Sequence, residues 1–245
     1  MQDLLGTALL DYYHGNATED LLTETSISEE DVFPLSYLFR SYAEMPALEQ
    51  KALKLTKGKV LDVGCGAGSH ALYLQQKGLE VHAIDTSEGA IQVAQLRGVQ
   101  HTKHIDILHY PATMPSEENK FDTILLLMNG TGIFQKLAQT VRYLQHLKTL
   151  LNSGGQILID SSDLQYMYDS TEEGGVIVPA HHYYGELDFV MKYKGVVSAP
   201  FPWLYIDENR FAAICHNHGF DCTIVKRGEH FDYLAQLKIA SDTLA

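Results

Sequence analysis

The stretch VLDVGCGAGSHAL, Val60 to Leu72, places Gly64, Gly66 and Gly68 on alternate positions directly after a short apolar run that contains Asp62. A glycine-rich turn at the carboxyl end of a first parallel strand marks a ligand site, because missing Cβ atoms let a ligand lie flat on the backbone. The carbonyls of such a turn can accept from an amine. The spacing is G-x-G-x-G, not the dinucleotide pattern G-x-G-x-x-G, and no Lys-Ser/Thr pair follows to make a phosphate loop. A nucleoside without phosphates fits the turn better. Asp85 lies 21 positions after Gly64, at the end of the next apolar run, where an acid receives two ribose hydroxyls.

Other residues could do chemistry. The stretch AHHYYGELDF brings His181, His182, Tyr183 and Tyr184 together, and His182 and Tyr184 are candidates for a substrate wall with a general base. A strand end whose alternate residues face water accounts for them as well. Asn129 in MNGTG is a further catalytic candidate. An Asn in a left-handed turn is the competing reading. The string CHNHGFDC, Cys215 to Cys222, matches no zinc spacing, and no metal is expected. Cys65 between the glycines reads as a packed small residue and not as a nucleophile.

The elements that must position these residues fall into two styles. Residues 1–56 read as helices: Leu4, Leu5, Ala8 and Leu9 share a face that Gly15-Asn16 ends, Ser28-Glu29-Glu30-Asp31 resembles a helix-capping signal ahead of Pro34, and residues 47–55 form another short helix. From residue 59 strand and helix alternate. Strands are expected over 59–63, 80–85, 99–105, 121–128 and 156–160, with helices over 69–77, 87–97 and 135–151. This alternation predicts a parallel α/β sheet with right-handed crossovers. It breaks at residues 162–206, an aromatic, strand-like insertion, and resumes with a helix after Asp207 and a hairpin over 220–239.

At these residues the chain resembles the class I S-adenosylmethionine-dependent methyltransferases, over roughly residues 58 to 160. The resemblance implies a Rossmann-like, seven-stranded α/β sheet with an antiparallel last strand, and S-adenosyl-L-methionine as cofactor. It also assigns roles. Asp62, Gly64, Gly66 and Gly68, with Cys65 in the same turn, would hold the methionine end. Asp85 would bind the ribose, with Thr86 and Ser87 beside the adenine. Asp106 and Ile107 in HIDIL would recognise the adenine amine and edge, and Met128, Asn129 and Gly130 would face the reactive sulfonium. In LKTLLNSGGQILID, Ser153 stands where the family commonly has proline.

The expected organisation is therefore a helical N-terminal cap (1–56), a cofactor-binding α/β core (57–161), a β-rich substrate-cap insertion (162–206) and a C-terminal helix with an edge hairpin (207–245). With 245 residues, 45% of them hydrophobic, the chain can bury a sizeable core. No apolar run is long enough for a membrane span, the N-terminus has no basic leader region, and three scattered cysteines suggest no disulfide framework, so a cytoplasmic protein is expected. The net charge of −13 disfavours a nucleic-acid partner. The favoured function is methyl transfer to a small-molecule acceptor. An RNA or protein methyltransferase and a non-catalytic cofactor-binding regulator remain alternatives, and the oligomeric state, a dimer included, is open. Aminopropyl transfer would require acids near Asn129 for a polyamine, and MNGTG holds none.

Overall fold

A computed structural model of the chain describes residues 3–110, 120–169, 171, 173 and 175–241. Its centre is a seven-stranded sheet. The strands are β3 (Val60–Val63), β4 (Val81–Asp85), β5 (His101–His104), β6 (Phe121–Leu126), β7 (Leu151–Ser162), β11 (Phe220–Arg227) and β12 (Asp232–Ile239). They run in the order β11-β12-β7-β6-β3-β4-β5. Pairing from β5 through β7 is parallel, whereas β12 is antiparallel to both β7 and β11. This is the sheet the resemblance implied.

Both faces of the sheet are covered, which is why β3 and β6 are apolar throughout. Leu61, Val63, Ile124 and Leu126 enter one buried cluster with Phe134, Leu144 and Phe211, the last two from α5 (Thr140–Thr149) and α6 (Glu208–Asn217). Val60, Leu125 and Leu127 enter the opposite cluster. There they meet Leu53 of α2 (Ala47–Leu55), Leu74 of α3 (Ser69–Gln76) and Ile91 of α4 (Glu88–Leu96). The helix expected from residue 135 begins only at Thr140, because Gln135 holds a left-handed backbone (φ 68°) after a 3-10 turn over Gly130–Phe134.

The N-terminal region is not wholly helical. Helix α1 (Leu4–Tyr13) forms as the pattern predicts, with Leu4, Ala8 and Leu9 buried. The capping signal at Ser28 is instead the start of a strand: β1 (Leu21–Thr25) and β2 (Ser28–Phe33) form an antiparallel hairpin. Two local causes decide this. The Thr25 hydroxyl accepts from the amides of Ile27 and Ser28 and closes the turn. Pro34 disfavours a helical Phe33. The acids of the hairpin are then compensated across strands, since Lys192 bonds Glu24 and Glu30 at 2.7 and 2.9 Å.

Lys192 belongs to the insertion. There β8 (Glu186–Tyr193), β9 (Val196–Val197) and β10 (Phe201–Leu204) join the N-terminal hairpin in one antiparallel sheet, ordered β10-β8-β1-β2 with β9 on β8. Within the strand-like insertion, residues 176–178 form no strand, Val176 making only an isolated bridge. Two segments far apart in sequence thus build one cap. A third apolar cluster fixes it, with Leu9, Leu21, Leu35 and Tyr193 packing on Ala67, Ala90 and Val93. Gly174 falls outside the described residues.

Candidate functional site

The three glycines serve three different purposes. All have positive φ, at 73°, 52° and 80° for Gly64, Gly66 and Gly68. A Cβ at Gly68 would lie 2.8 Å from Val99 and 3.2 Å from Ala94, so this glycine permits close packing of α3 on α4. A Cβ at Gly64 would lie 3.2 Å from Ile133. At Gly66 the nearest atom, Leu38 Cδ2, is 3.9 Å away, leaving room in front of the backbone. Residues 35–40 lie beside this turn: Ser69 Oγ donates to the Leu38 carbonyl at 2.7 Å, and Arg97 donates to Ala67 O and Phe39 O at 2.6 and 3.3 Å.

Asp85 is tied to the same turn. Its carboxylate accepts from the Gly66 amide at 2.9 Å and from the Ser87 amide at 2.9 Å. Burial raises its pKa, and those two amides oppose the shift. Thr86 is exposed, and its carbonyl accepts from His104. The Ser87 hydroxyl is engaged elsewhere: it accepts from the Ala90 amide as the cap of α4 and donates to Asp3 of the N-terminus at 2.8 Å. Asp106 caps a short 3-10 turn by accepting from the Leu108 amide, and Ile107 is buried in the core. Cys65 is buried, and burial pushes its thiol well above the usual range, which does not suit a nucleophile.

Asp62 is 2% exposed, and its Oδ2 has no hydrogen-bond partner among the described residues. Burial pushes its pKa up to about 6; His70 counters and Asp85 adds to the shift. A cationic amine reaching this carboxyl would relieve its desolvation. The open space at Gly66, the acid at the end of β4 and the unpartnered buried oxygen of Asp62 are together suited to a nucleoside that carries an amino-acid tail.

A cavity of about 270 Å³ opens at the carboxyl ends of β6 and β7, lined by Tyr37, Pro46, Leu48, Glu49, Met128, Asp160, Ser162 and Asp232. Asp160 accepts from the amides of Met128 and Gly130 at 3.1 and 2.8 Å. These bonds hold the segment after β6, where Met128 and Asn129 both take positive φ, 66° and 60°. Burial pushes Asp160 up to about 6 against those amides. Glu49 is held on both sides, by His70 Nε2 at 2.6 Å and by the Arg40 guanidinium. Burial would raise Glu49, but His70 and Arg40 outweigh it and keep the carboxyl below its usual range. A larger hollow of about 490 Å³ along β4 and β5 includes neither the glycine-rich turn nor Asp85 nor Met128 in its lining.

The other candidates sit apart from this cavity's lining. The Asn129 side chain donates to the Leu204 carbonyl at 3.3 Å and accepts from Ser161 at 3.3 Å, so it joins the core to the cap. Tyr184 is buried, donating to Asp163 at 2.8 Å within a cluster with Leu164 and Leu187. His182 is exposed ahead of β8. Among the described residues no group of three or more His, Cys, Asp or Glu side chains could hold a metal ion. The sequence reading missed Asp160, Glu49, His70 and Asp232. Asp160 alone carried a signal: ILID ends a buried apolar strand in an acid just as HAID does at Asp85.

Comparison with known proteins agrees with this geometry. Residues 60–155 match the family model described as a methyltransferase domain. A solved SAM-dependent methyltransferase from Bacteroides fragilis, in complex with S-adenosyl-L-homocysteine, is 41% identical, with 98% of this chain and 95% of that chain covered at a TM-score of 0.88. The chain belongs to the class I S-adenosylmethionine-dependent methyltransferases. A ubiquinone biosynthesis O-methyltransferase of Dinoroseobacter shibae is 30% identical over 126 residues, covering 51% of this chain and 49% of that protein. A tRNA U34 carboxymethyltransferase of Idiomarina loihiensis is 28% identical over 141 residues, covering 53% of this chain and 39% of that protein. The chain thus spans half or less of the length of these curated relatives, and their names differ in acceptor.

Proposed function

We propose that the protein is an enzyme that transfers the methyl group of S-adenosyl-L-methionine to a small-molecule acceptor. The observation that carries this reading is a pair of spaces bordered by the consecutive residues Leu38 and Tyr37. One is the open backbone at Gly66 with Asp85 and Asp62 around it. The other is the cavity of about 270 Å³ that has Met128 in its wall.

In this reading Asp85 holds the ribose, the turn from Gly64 to Gly66 with Asp62 holds the methionine end, and Asp106 with Ile107 borders the adenine. When bound, the cofactor supplies an electrophilic methyl carbon and a neutral thioether leaving group. The chain's own work is positioning and exclusion of water. Leu38 and its neighbours cover the turn, Asp160 fixes the backbone of Met128 and Gly130, and the cap sheet closes on the core through Asn129 and Trp203. The acceptor faces the cavity wall, which places Asp160 nearer the chemistry than His182. The small, carboxylate-lined cavity and the charge of −13 favour a metabolite over RNA. Among the described residues no helix is long and apolar enough to cross a membrane, and the three cysteines are free, in keeping with a reducing cytoplasm.

Calorimetry with S-adenosylhomocysteine, followed by a screen of metabolite pools with methyl-labelled cofactor, tests this. Binding together with label transfer to a low-molecular-weight product is expected. A protein that binds no S-adenosylhomocysteine, or that labels only RNA or protein, would overturn it.

A further inference from the structure

Two carboxylates in the wall of the small cavity have no basic partner among the described residues, and we propose that they receive a cationic nitrogen: the cavity is an amine subsite, and the methyl acceptor is an organic amine. The inference rests on the methyl-transfer reading above and narrows it to a substrate class.

The lining is Tyr37, Pro46, Leu48, Glu49, Met128, Asp160, Ser162 and Asp232, three acids and no lysine, arginine or histidine. The nearest basic groups are engaged with Glu49, since Arg40 donates to its Oε1 and His70 meets its Oε2. Asp160 and Asp232 are held by backbone amides alone, those of Met128 and Gly130 for the first and of His230 for the second. They lie diagonally on one face of the β7–β12 ladder, in which Ser162 pairs with Asp232 and Asp160 with Leu234. Asp160 is buried and Asp232 half-buried, and a carboxylate taken out of water needs a partner of opposite charge. An ammonium entering here supplies it. A carboxylate or phosphate would be repelled, and a neutral alcohol would leave both charges unpaired.

The surface beside the acids points the same way. Tyr166 and Phe231 stack at 5.1 Å while remaining 55% and 62% exposed. Phe231 directly precedes Asp232, and its carbonyl accepts from Asp163, the neighbour of Ser162, at 3.0 Å. Its φ of 60° is an uncommon backbone for a bulky side chain. Two exposed aromatic faces next to two carboxylates suit the approach of an organic cation. The acids that MNGTG lacks are therefore delivered by the fold to the cavity beside Met128, from the ends of β7 and β12.

The transfer balances simply. The bound ammonium gives one proton to a wall carboxylate or to water, and the nitrogen lone pair then forms the N–C bond. The C–S bond breaks with its electron pair left on sulfur, so the positive charge passes to the methylated nitrogen.

The test uses the full chain saturated with S-adenosylhomocysteine and titrated with benzylammonium, benzyl alcohol and benzoate. Benzylammonium is expected to bind at least about tenfold more tightly than the alcohol, and benzoate the weakest. In Asp232→Asn, a substitution that leaves the amides of Met128 and Gly130 in place, the preference should fall severalfold while S-adenosylhomocysteine affinity is kept. In Asp160→Asn it should fall as well. Equal binding of alcohol and ammonium, or an unchanged preference in both variants, overturns the amine assignment. Failure of the wild type to bind S-adenosylhomocysteine is a separate result that removes the methyl-transfer reading itself.

Discussion

Glu49 Oε2 lies 2.6 Å from His70 Nε2, so the wall of the small cavity is bonded to α3, the helix that follows Gly68. Arg40, stacked over the Tyr37 ring at 3.7 Å, completes the group from the other oxygen. All three side chains are buried, with Arg40, Glu49 and His70 at 8%, 4% and 8% exposure. Removing the central charge leaves the buried Arg40 guanidinium without its ionic partner. Glu49→Gln should therefore cost about 3–5 kcal/mol in urea unfolding. The pKa of His70 should also change direction. In the wild type burial lowers it, but Glu49 and Asp62 outweigh burial and raise it. In the variant the Glu49 contribution is gone, and an NMR titration should place His70 lower. An unchanged titration would show that the pair is not formed.

Gly66 and Gly68 should separate binding from folding. Gly66→Val projects a side chain into the space beside Leu38 and forces a left-handed valine, costing about 1–2 kcal/mol of stability. Its main effect should be loss of S-adenosylhomocysteine binding in calorimetry. Gly68→Ala instead drives a Cβ against Val99 and Ala94 between packed helices, and should lower the melting temperature more. The opposite ranking would mean that the ligand approaches at Gly68.

How much of this was legible in the sequence follows from how local each feature is. The glycine-rich turn and Asp85 belong to consecutive β-α units, so their order along the chain was enough to find them. The strand-helix alternation likewise gave the sheet, and only a turn around Gln135 shifted a helix start. The cap was not legible, because its sheet is completed by the pairing of β1 with β8, more than 150 residues away in the register Thr23↔Met191. The cavity was not legible for the same reason, since Tyr37, Glu49, Met128, Asp160 and Asp232 come from five separate segments. Ser28 shows the limit of capping signals: its neighbours resemble a helix start, yet it begins a strand, whereas Ser87, not read as a cap, caps α4.

Asp62 should make stability depend on pH. Its pKa rises from 3.8 to about 6 on folding, so the folded state holds the proton more tightly. The group favours the folded state below pH 3.8, and that advantage is lost as pH rises through about 6. Above this window the whole penalty, roughly 3 kcal/mol, is present. Asp62→Asn cannot ionise. Its stability relative to the wild type should climb between about pH 4 and pH 6 and then level off. Urea unfolding of both proteins across that range measures the difference, and a flat difference would show that Asp62 is not desolvated.

Gly132 and Trp203 offer a direct probe of how the cap is seated. A Cβ on Gly132 would lie 1.9 Å from Trp203 Cε2, so the indole rests directly on the 3-10 turn that follows β6. The next residue strengthens the contact, because the Leu204 carbonyl accepts from Thr131 Oγ1 at 3.0 Å and from Asn129 Nδ2 at 3.3 Å. Gly132→Ala must displace the indole, since the turn is fixed below by Asp160. Overpacking of this kind costs about 1–3 kcal/mol. Trp203 is the single tryptophan of the chain, so its fluorescence reports the displacement without interference. The emission should shift to the red, while S-adenosylhomocysteine affinity stays within about threefold because the glycine-rich turn belongs to another strand. Label transfer to the acceptor should fall further than cofactor affinity, since the cap excludes water from the site. An unaltered emission spectrum in a variant that folds normally would show that β10 does not rest on Gly132. A loss of cofactor affinity equal to the loss of transfer would show that the cap holds the cofactor and not the acceptor.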